Sequence, residues 1–218
     1  MAAIADNLQL VKARLAAVPG VTLLAVSKSQ PVERIREAAA AGQKAFGENY
    51  VQEAVDKMQF LPGLEWHLIG ALQSNKTRIA AERFDWVQTV ASEKIARRLS
   101  DQRPAERGAL NVLIQVNVSG EDTKSGVALD DAGALARAIE AMPRLKLRGL
   151  MAIPEPGAER ARYQAVKQLF DALRNEFAID TLSMGMSDDL EVAIAEGATM
   201  VRVGTAIFGA RKKQKDAA

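Results

Sequence analysis

Short apolar runs alternate with amphipathic stretches along most of the chain. Apolar residues recur at every third or fourth position from Ile4 to Leu15, which predicts a helix, and the pair Pro19-Gly20 ends it. Beyond that helix come eight short runs rich in strand-forming residues. They cover residues 22–27, 44–47, 64–70, 85–90, 111–118, 145–150, 181–183 and 200–203.

The segments between these strands have the periodicity of helices with one apolar face, as from Leu129 to Met142 and from Tyr163 to Phe177. Strands that alternate with such helices form parallel βαβ units. Eight units predict a single-domain (β/α)8 TIM barrel over residues 1–218, with an extra helix in residues 1–19. The alternative is an open doubly wound sheet, but no G-x-G-x-x-G follows the first strand. We expect the charged tail, residues 210–218, to be a solvated terminus.

Composition removes several classes of site. The chain has no cysteine and one histidine, so disulfides, thiolate metal sites and sites with two imidazoles are excluded. A formal net charge of +2 does not suggest a nucleic-acid partner. No apolar run is long enough to cross a membrane, and the N-terminus does not read as a signal peptide. We therefore expect a cytoplasmic protein.

Polar residues collect where the predicted strands end, which is where barrels of this class carry their active sites. Lys28 follows the first strand and shares the side-chain parity of Leu24 and Val26. If those two face the barrel interior, Lys28 does too, and a drier pocket favours its neutral amine. A neutral amine is what Schiff-base chemistry requires. The alternative is a loop lysine in solvent.

Two glycine-containing loops follow the last two strands, at the common phosphate site of such barrels. Residues 184–189 follow the seventh strand, and Gly204-Thr205 follow the eighth. Glycine lets backbone N–H groups approach an anion, and the hydroxyls of Ser187 and Thr205 add donors. The alternative is that Ser187 or Asp188 merely caps the next helix.

Two further polar residues lie within the strands. Arg202, on the eighth strand, precedes the predicted phosphate loop and is a candidate site residue. The alternative is that it forms a structural ion pair with an acidic neighbour. His67 lies in the middle of the third strand, between Trp66 and Leu68. It is predicted to be a hydrogen-bonded core histidine rather than a catalyst.

A lysine after the first strand, a phosphate loop after the seventh and eighth, and an arginine on the eighth resemble the barrel of fold-type III pyridoxal-phosphate proteins. More closely, the chain resembles the pyridoxal phosphate homeostasis family (YggS/PROSC type). The matching stretches span nearly the whole chain. They are 24–28 (LAVSK), 46–53 (FGENYVQE), 66–76 (WHLIGALQSNK), 116–126 (VNVSGEDTKSG), 149–154 (GLMAIP), 183–188 (SMGMSD) and 201–209 (VRVGTAIFG).

The resemblance implies a protein that binds pyridoxal 5′-phosphate (PLP) and buffers or delivers it inside the cell. It implies that Lys28 holds the cofactor as a covalent aldimine and that Arg202 faces the pyridine nitrogen. Further members of the implied site are Ser187, Gly204 and Thr205 for the phosphate, with Asn49 and Met151 lining the ring pocket. No catalytic residue and no metal are implied.

The chain departs from the family pattern at two positions. Gln30 stands where many members have a second lysine, which puts any hand-off of the cofactor through that lysine in doubt. Ala71 replaces a larger residue and does not belong to the implied site.

Two enzyme readings remain open beside the carrier: a PLP-dependent amino-acid racemase, and a Schiff-base aldolase. A two-base racemase needs an acid–base group on the second face of the ring. The resemblance implies that in barrel racemases this group is a tyrosine from the second domain of a partner subunit. The sequence has only Tyr50 and Tyr163, and we expect no second domain. We expect a monomer whose partners are PLP and apo forms of PLP-dependent enzymes.

Overall fold

The computed structural model describes residues 3–119, 125–155 and 157–209, and within them eight parallel strands close into one barrel. Each strand pairs with its neighbours in sequence, and the first pairs with the last, so the predicted (β/α)8 barrel is confirmed. The strands are β1 (Thr22–Val26), β2 (Ala45–Glu48), β3 (Glu65–Leu68), β4 (Trp86–Val90), β5 (Leu110–Val116), β6 (Leu145–Ala152), β7 (Thr181–Ser183) and β8 (Met200–Val203).

Helices alternate with the strands and cover the outside of the barrel. The first precedes β1, as predicted, and ends before Pro19. The helices are α1 (Ile4–Ala16), α2 (Val32–Ala40), α3 (Val51–Met58), α4 (Thr77–Arg83), α5 (Glu93–Gln102), α6 (Ala132–Glu140), α7 (Arg160–Arg174), α8 (Leu190–Ala195) and α9 (Thr205–Phe208), with 3-10 turns at Ser74–Lys76, Ala105–Arg107 and Leu129–Asp131. In the described ranges no helix combines the length and apolar character needed to cross a membrane. The predicted charged tail lies outside them.

Successive residues of each strand face opposite sides of the barrel wall, as strand geometry requires. On β1, Leu23 and Ala25 belong to the main core, which lies between the strands and the helices. Leu24 and Val26 belong instead to a small separate cluster with Ala45, Ile69 and Met200, from strands on both sides of β1. This separation places Leu24 and Val26 inside the barrel, as the parity argument for Lys28 requires.

The third strand is shorter than predicted, because it ends at Leu68 rather than at Gly70. Gly70 passes directly over the backbone that follows β2. A Cβ atom on Gly70 would lie 2.1 Å from the carbonyl oxygen of Asn49. Only glycine permits this close approach, which fixes the wall of the cavity described below at Asn49.

Candidate functional site

Lys28 lies in a tight turn that begins where β1 ends. The backbone N–H of Gln30 donates to the carbonyl of Ser27 at 3.0 Å, which closes the turn. Ser29 has φ of 60°, the left-handed conformation that non-glycine residues adopt rarely. Its backbone N–H donates to Glu53 at 2.6 Å. The segment that carries Lys28 is therefore held by contacts on both sides of it.

A buried charged cluster, formed by Lys57, Glu48 and Glu53, supports this turn from behind. The Lys57 ammonium donates to Glu48 and to Glu53, each at 2.7 Å, and to the carbonyl of Ser27 at 2.8 Å. Ser27 also donates its hydroxyl to Glu48 at 2.6 Å. Glu48 is fully buried, and burial raises its pKa although Lys57 opposes the shift. The cluster ties α3 to the end of β1.

The loop after β7, residues 184–189, is held by Asp189. The hydroxyl of Tyr163, a buried residue of α7, donates to Asp189 at 2.6 Å, and Asp189 also accepts from the backbone N–H of Met186. Gly185 has φ of 93°, and a Cβ there would lie 2.5 Å from that of Ala193, so the loop packs closely on α8. These contacts define the shape of the loop without using the side chain of Ser187.

The alternative role of Ser187 and Asp188 as helix caps is wrong. Helix α8 begins at Leu190, and its N-cap is Asp189, whose side chain makes no capping hydrogen bond. Residues 187–189 form a turn instead. The sequence signal is misleading because Asp189 is committed to Tyr163 and Met186, which moves the start of the helix along the chain.

Arg202 extends from β8 into the barrel interior and is almost completely buried. Its guanidinium donates to the hydroxyl of Ser183 and to the carbonyl of Ala152, each at 2.8 Å. Within the described residues no carboxylate pairs with it, so its alternative role as half of a structural ion pair is wrong. Burial lowers the pKa of Arg202 from 12.5 to about 10, with Asp189 opposing the shift, and the group stays charged near neutral pH.

The polar residues of the strand ends meet at one cavity of about 220 Å³ at the carboxyl end of the barrel. This is small beside the roughly 300–1,000 Å³ typical of sites for drug-sized ligands. Of the residues singled out in the sequence, Lys28, Asn49, Ser187, Arg202, Gly204 and Thr205 line it.

One predicted site residue is absent from the described lining. Met151 is fully buried inside the barrel, where it packs with Trp86 and Leu113. Its expected contact with a cofactor ring stays a prediction. Asn49 has a feature that points to a ligand, since its buried Oδ1 has no hydrogen-bond partner in the described structure. An unpaired buried acceptor is costly, and a bound donor would satisfy it.

Sequence reasoning missed several residues of the cavity wall. Ile153 and Met186 stand at the mouth with exposed fractions of 42% and 37%, and Ile69 lies deeper, packed with Leu24. The apolar stretches that contain them read as ordinary strand ends. Gln30, noted only as a departure, also lines the cavity and accepts from Arg34 at 3.0 Å.

His67 is a hydrogen-bonded core residue, as predicted. It is fully buried, stacks on Trp86 with ring centroids 5.0 Å apart, and contacts Glu65 at 2.8 Å and Gln88 at 2.9 Å. Burial lowers its pKa from 6.5, so the imidazole is neutral near neutral pH.

Sequence comparison gives a consistent picture. The family model for the alanine racemase N-terminal domain matches residues 1–212. The chain is 56% identical to the pyridoxal phosphate homeostasis protein of Escherichia coli strain K12, with 89% of this chain and 88% of that protein covered. It is also 56% identical to the protein of that name from Pseudomonas aeruginosa strain PAO1, with 97% of each chain covered.

Solved structures agree with these matches. PipY of Synechococcus elongatus PCC7942, determined with PLP bound, is similar with a TM-score of 0.86 at 39% identity, over 94% of this chain and all 100% of that one. Alanine racemase from Corynebacterium glutamicum is similar with a TM-score of 0.77 over 96% of this chain and 60% of that one. At 20% identity the second likeness shows the shared fold alone.

Proposed function

We infer that the chain, which belongs to the family of pyridoxal phosphate homeostasis proteins, binds PLP at the carboxyl end of its barrel and serves PLP homeostasis. The observation that carries this inference is the composition of one cavity. A primary amine, a guanidinium and two hydroxyl-bearing loops converge there from β1, β7 and β8.

The residues present fit this ligand. When bound, PLP supplies an aldehyde that reacts with a primary amine and a pyridine ring that withdraws electrons. Lys28 is the amine in our proposal, and the hydroxyls of Ser187 and Thr205 donate to the phosphate beside the backbone of Gly204. The presence of these hydroxyls and of Lys28 in the lining of one small cavity matches a ligand that carries an aldehyde and a phosphate on the same ring.

Arg202 is proposed to donate a hydrogen bond to the ring nitrogen. Its two hydrogen bonds seen in the described structure leave N–H groups available, because a guanidinium has five. With a pKa of about 10 it stays protonated and does not transfer its proton to the ring. The ring therefore remains a weaker electron sink than it would be beside an acidic partner.

We propose that the protein is a carrier rather than an enzyme. Neither tyrosine of the sequence lines the cavity in the described structure: Tyr163 is buried with its hydroxyl on Asp189, and Tyr50 is 65% exposed. A second acid–base group on the ring usually contributes roughly 10²–10⁴-fold to the rate. Without it, and with Arg202 in place, amino-acid turnover would be slow. Delivery to apo forms of PLP-dependent enzymes, as a monomer, belongs to the same proposal.

The test of binding is a visible spectrum of the protein with PLP. The chromophore should form in the wild type and be absent in Lys28→Ala. Lys76→Ala, which removes a lysine outside the described cavity lining, is the matched control and should keep it. Borohydride reduction and peptide mass analysis should place the cofactor on Lys28. A label found mainly on Lys76 or Lys124 would refute the assignment, and absence of any chromophore would favour the aldolase.

The carrier proposal is tested against the racemase, the second candidate, which the match of residues 1–212 to the alanine racemase N-terminal domain model favours. The PLP-loaded protein is incubated with L- and D-amino acids while chirality and α-proton exchange are followed. We expect rates close to those of free PLP. Faster rates that disappear in Lys28→Ala would establish a racemase instead.

A further inference from the structure

A chain of buried polar side chains crosses the barrel interior and ends at Arg202. It runs from Glu65 and His67 on β3, through Gln88 on β4 and Ser183 on β7, to β8. The contacts are Glu65 to His67 at 2.8 Å, His67 to Gln88 at 2.9 Å, Gln88 to Ser183 at 2.7 Å and Ser183 to Arg202 at 2.8 Å. His67, Gln88 and Ser183 are fully buried, whereas the side chain of Glu65 is 47% exposed.

The two ends of this chain impose the same direction on every hydrogen bond in it. Arg202 can only donate, so Ser183 must accept from it, and the Ser183 hydroxyl then donates to Oε1 of Gln88. At the other end, ionised Glu65 can only accept, so His67 donates from Nε2. The imidazole Nδ1 is therefore an acceptor, and it faces the amide Nε2 of Gln88.

Each of the three middle residues both donates and accepts within the chain, and Nε2 of Gln88 also donates to Sδ of Met200 at 3.1 Å, so the chain is satisfied in a single arrangement. Such a network rigidifies its members, because any other arrangement leaves a buried group unpaired. If Gln88 rotated its amide by half a turn, its oxygen would face the lone pair of neutral His67. Its N–H group would then face Ser183, whose own hydroxyl proton would lose its acceptor. His67 thus selects the amide orientation that Ser183 needs.

We propose that Gln88 is a positioning residue for recognition of the PLP ring nitrogen, acting through Ser183 on Arg202, with Glu65 and His67 fixing its orientation. The inference rests on the proposed function, because it assumes that Arg202 faces that nitrogen. What it adds is a group of residues on β3, β4 and β7, outside the described cavity lining, on which recognition depends. The guanidinium has no carboxylate partner among the described residues, so Ser183 and the Ala152 carbonyl fix its direction.

The experiment compares the dissociation constants of PLP and 1-deazapyridoxal 5′-phosphate, in which C–H replaces the ring nitrogen, by absorbance titration of the full-length apo-protein. Both ligands have the aldehyde and the phosphate. A hydrogen bond from a charged donor predicts that the wild type prefers PLP by roughly ten- to a hundredfold. Gln88→Met should reduce this preference to about threefold or less, because it breaks the chain at its centre while keeping side-chain length.

Three further variants separate the possible explanations. Gln115→Met removes a buried glutamine that makes none of the four contacts, and it should keep the full preference. Ser183→Ala removes a single hydroxyl and should lower the preference as Gln88→Met does. Because it is the smaller change, it provides the same test if Gln88→Met does not fold. Arg202→Met should abolish the preference.

The outcomes are distinguishable. If Gln88→Met and Ser183→Ala both retain the wild-type preference while Arg202→Met loses it, the positioning role is refuted and the Arg202 assignment stands. If the wild type shows no preference, or Arg202→Met keeps it, the placement of Arg202 at the ring nitrogen fails, and this inference fails with it.

A second readout needs no ligand, because the sequence contains one histidine and its imidazole signals are unambiguous. Nitrogen NMR of the apo-protein should show the proton on Nε2 and a hydrogen-bonded, unprotonated Nδ1. In Gln88→Met the Nδ1 signal should move toward that of a free lone pair. The charged groups that act on His67 in the described structure are Glu65 and Asp85, and neither is altered. An unchanged Nδ1 signal would show that Gln88 does not donate to His67 and would overturn the proposal.

Discussion

Replacing Lys57 by methionine tests the cluster that supports the Lys28 turn. The change keeps the length of the side chain and removes the ammonium, whose three hydrogen bonds reach Glu48, Glu53 and the carbonyl of Ser27. Glu48 would keep the Ser27 hydroxyl as its described partner, and its Oε2 already has none in the described structure. The substitution therefore leaves a fully buried carboxylate without its counter-charge.

The size of the stability loss expected for Lys57→Met follows from the burial of both side chains of the Lys57–Glu48 pair. The side chains of Lys57 and Glu48 are 7% and 0% exposed, so solvent screens their interaction little. Removal of one partner from such a pair costs about 3–5 kcal/mol. The matched control is Lys167→Met, because Lys167 pairs with Asp171 at the same four-residue spacing that joins Lys57 to Glu53, but with side chains 33% and 50% exposed. That surface pair should contribute less than ~1 kcal/mol.

The stability lost in Lys57→Met should depend on pH, and the burial of Glu48 determines the direction of this dependence. Burial raises the pKa of Glu48 above 4.5, so on acidification the folded state takes up this proton before the unfolded state does. The contribution of Glu48 to stability therefore improves as pH falls through the raised pKa toward 4.5. Without the ammonium that pKa rises further. The deficit of Lys57→Met should thus shrink between about pH 7 and about pH 5.

Urea denaturation at the two pH values measures these free energies of unfolding. Adding Glu48→Gln to Lys57→Met removes the orphaned charge and should recover more than half of the loss. A cost for Lys57→Met below ~1 kcal/mol, or a cost independent of pH, would show that Glu48 is not an ion held by Lys57. The turn also depends on this cluster, so Lys57→Met should weaken PLP binding whereas Lys167→Met should not.

Three further predictions concern the cavity and the barrel interior. Gly70→Ala should destabilise the protein by about 1–3 kcal/mol or more in urea denaturation, because the new Cβ would lie 2.1 Å from the carbonyl oxygen of Asn49. The same substitution should weaken PLP binding. Ser187→Ala and Thr205→Val should each weaken PLP binding by roughly ten- to a hundredfold in absorbance titrations while leaving pyridoxal binding unchanged; equal losses for both vitamers would refute the phosphate assignment. The pKa of His67 is lowered in the folded protein, so below pH 6.5 the unfolded state binds a proton at this residue while the folded state does not. On acidification the free energy of unfolding of the wild type should therefore fall relative to that of His67→Asn, by up to ~1.4 kcal/mol per pH unit. Parallel pH profiles of the two proteins would contradict this.

The sequence by itself determined the architecture and most of one rim. Alternating runs with strand and helix periodicity are local signals, and a parallel barrel brings every strand end to the same edge. That is why the order of the strands suffices to place Lys28, Ser187 and Thr205 on one cavity. Strand parity also predicts the inward direction of Lys28, because a period of two allows only two faces. Even the structural role of His67 follows from its place within a strand.

Tertiary structure alone decided which interior residues meet. Gln88 and Ser183 lie 95 positions apart in sequence, and their hydrogen bond depends on the stagger of strands around the closed barrel. Local sequence allows a capping role for Ser187 because it cannot show that Asp189 is bound by Tyr163 on another helix. It likewise allows an acidic partner for Arg202, whose partners are a hydroxyl and a carbonyl. Side-chain contacts inside a closed barrel join residues from distant strands, so no local pattern encodes them, whereas the propensities that form each strand and helix act between neighbours along the chain.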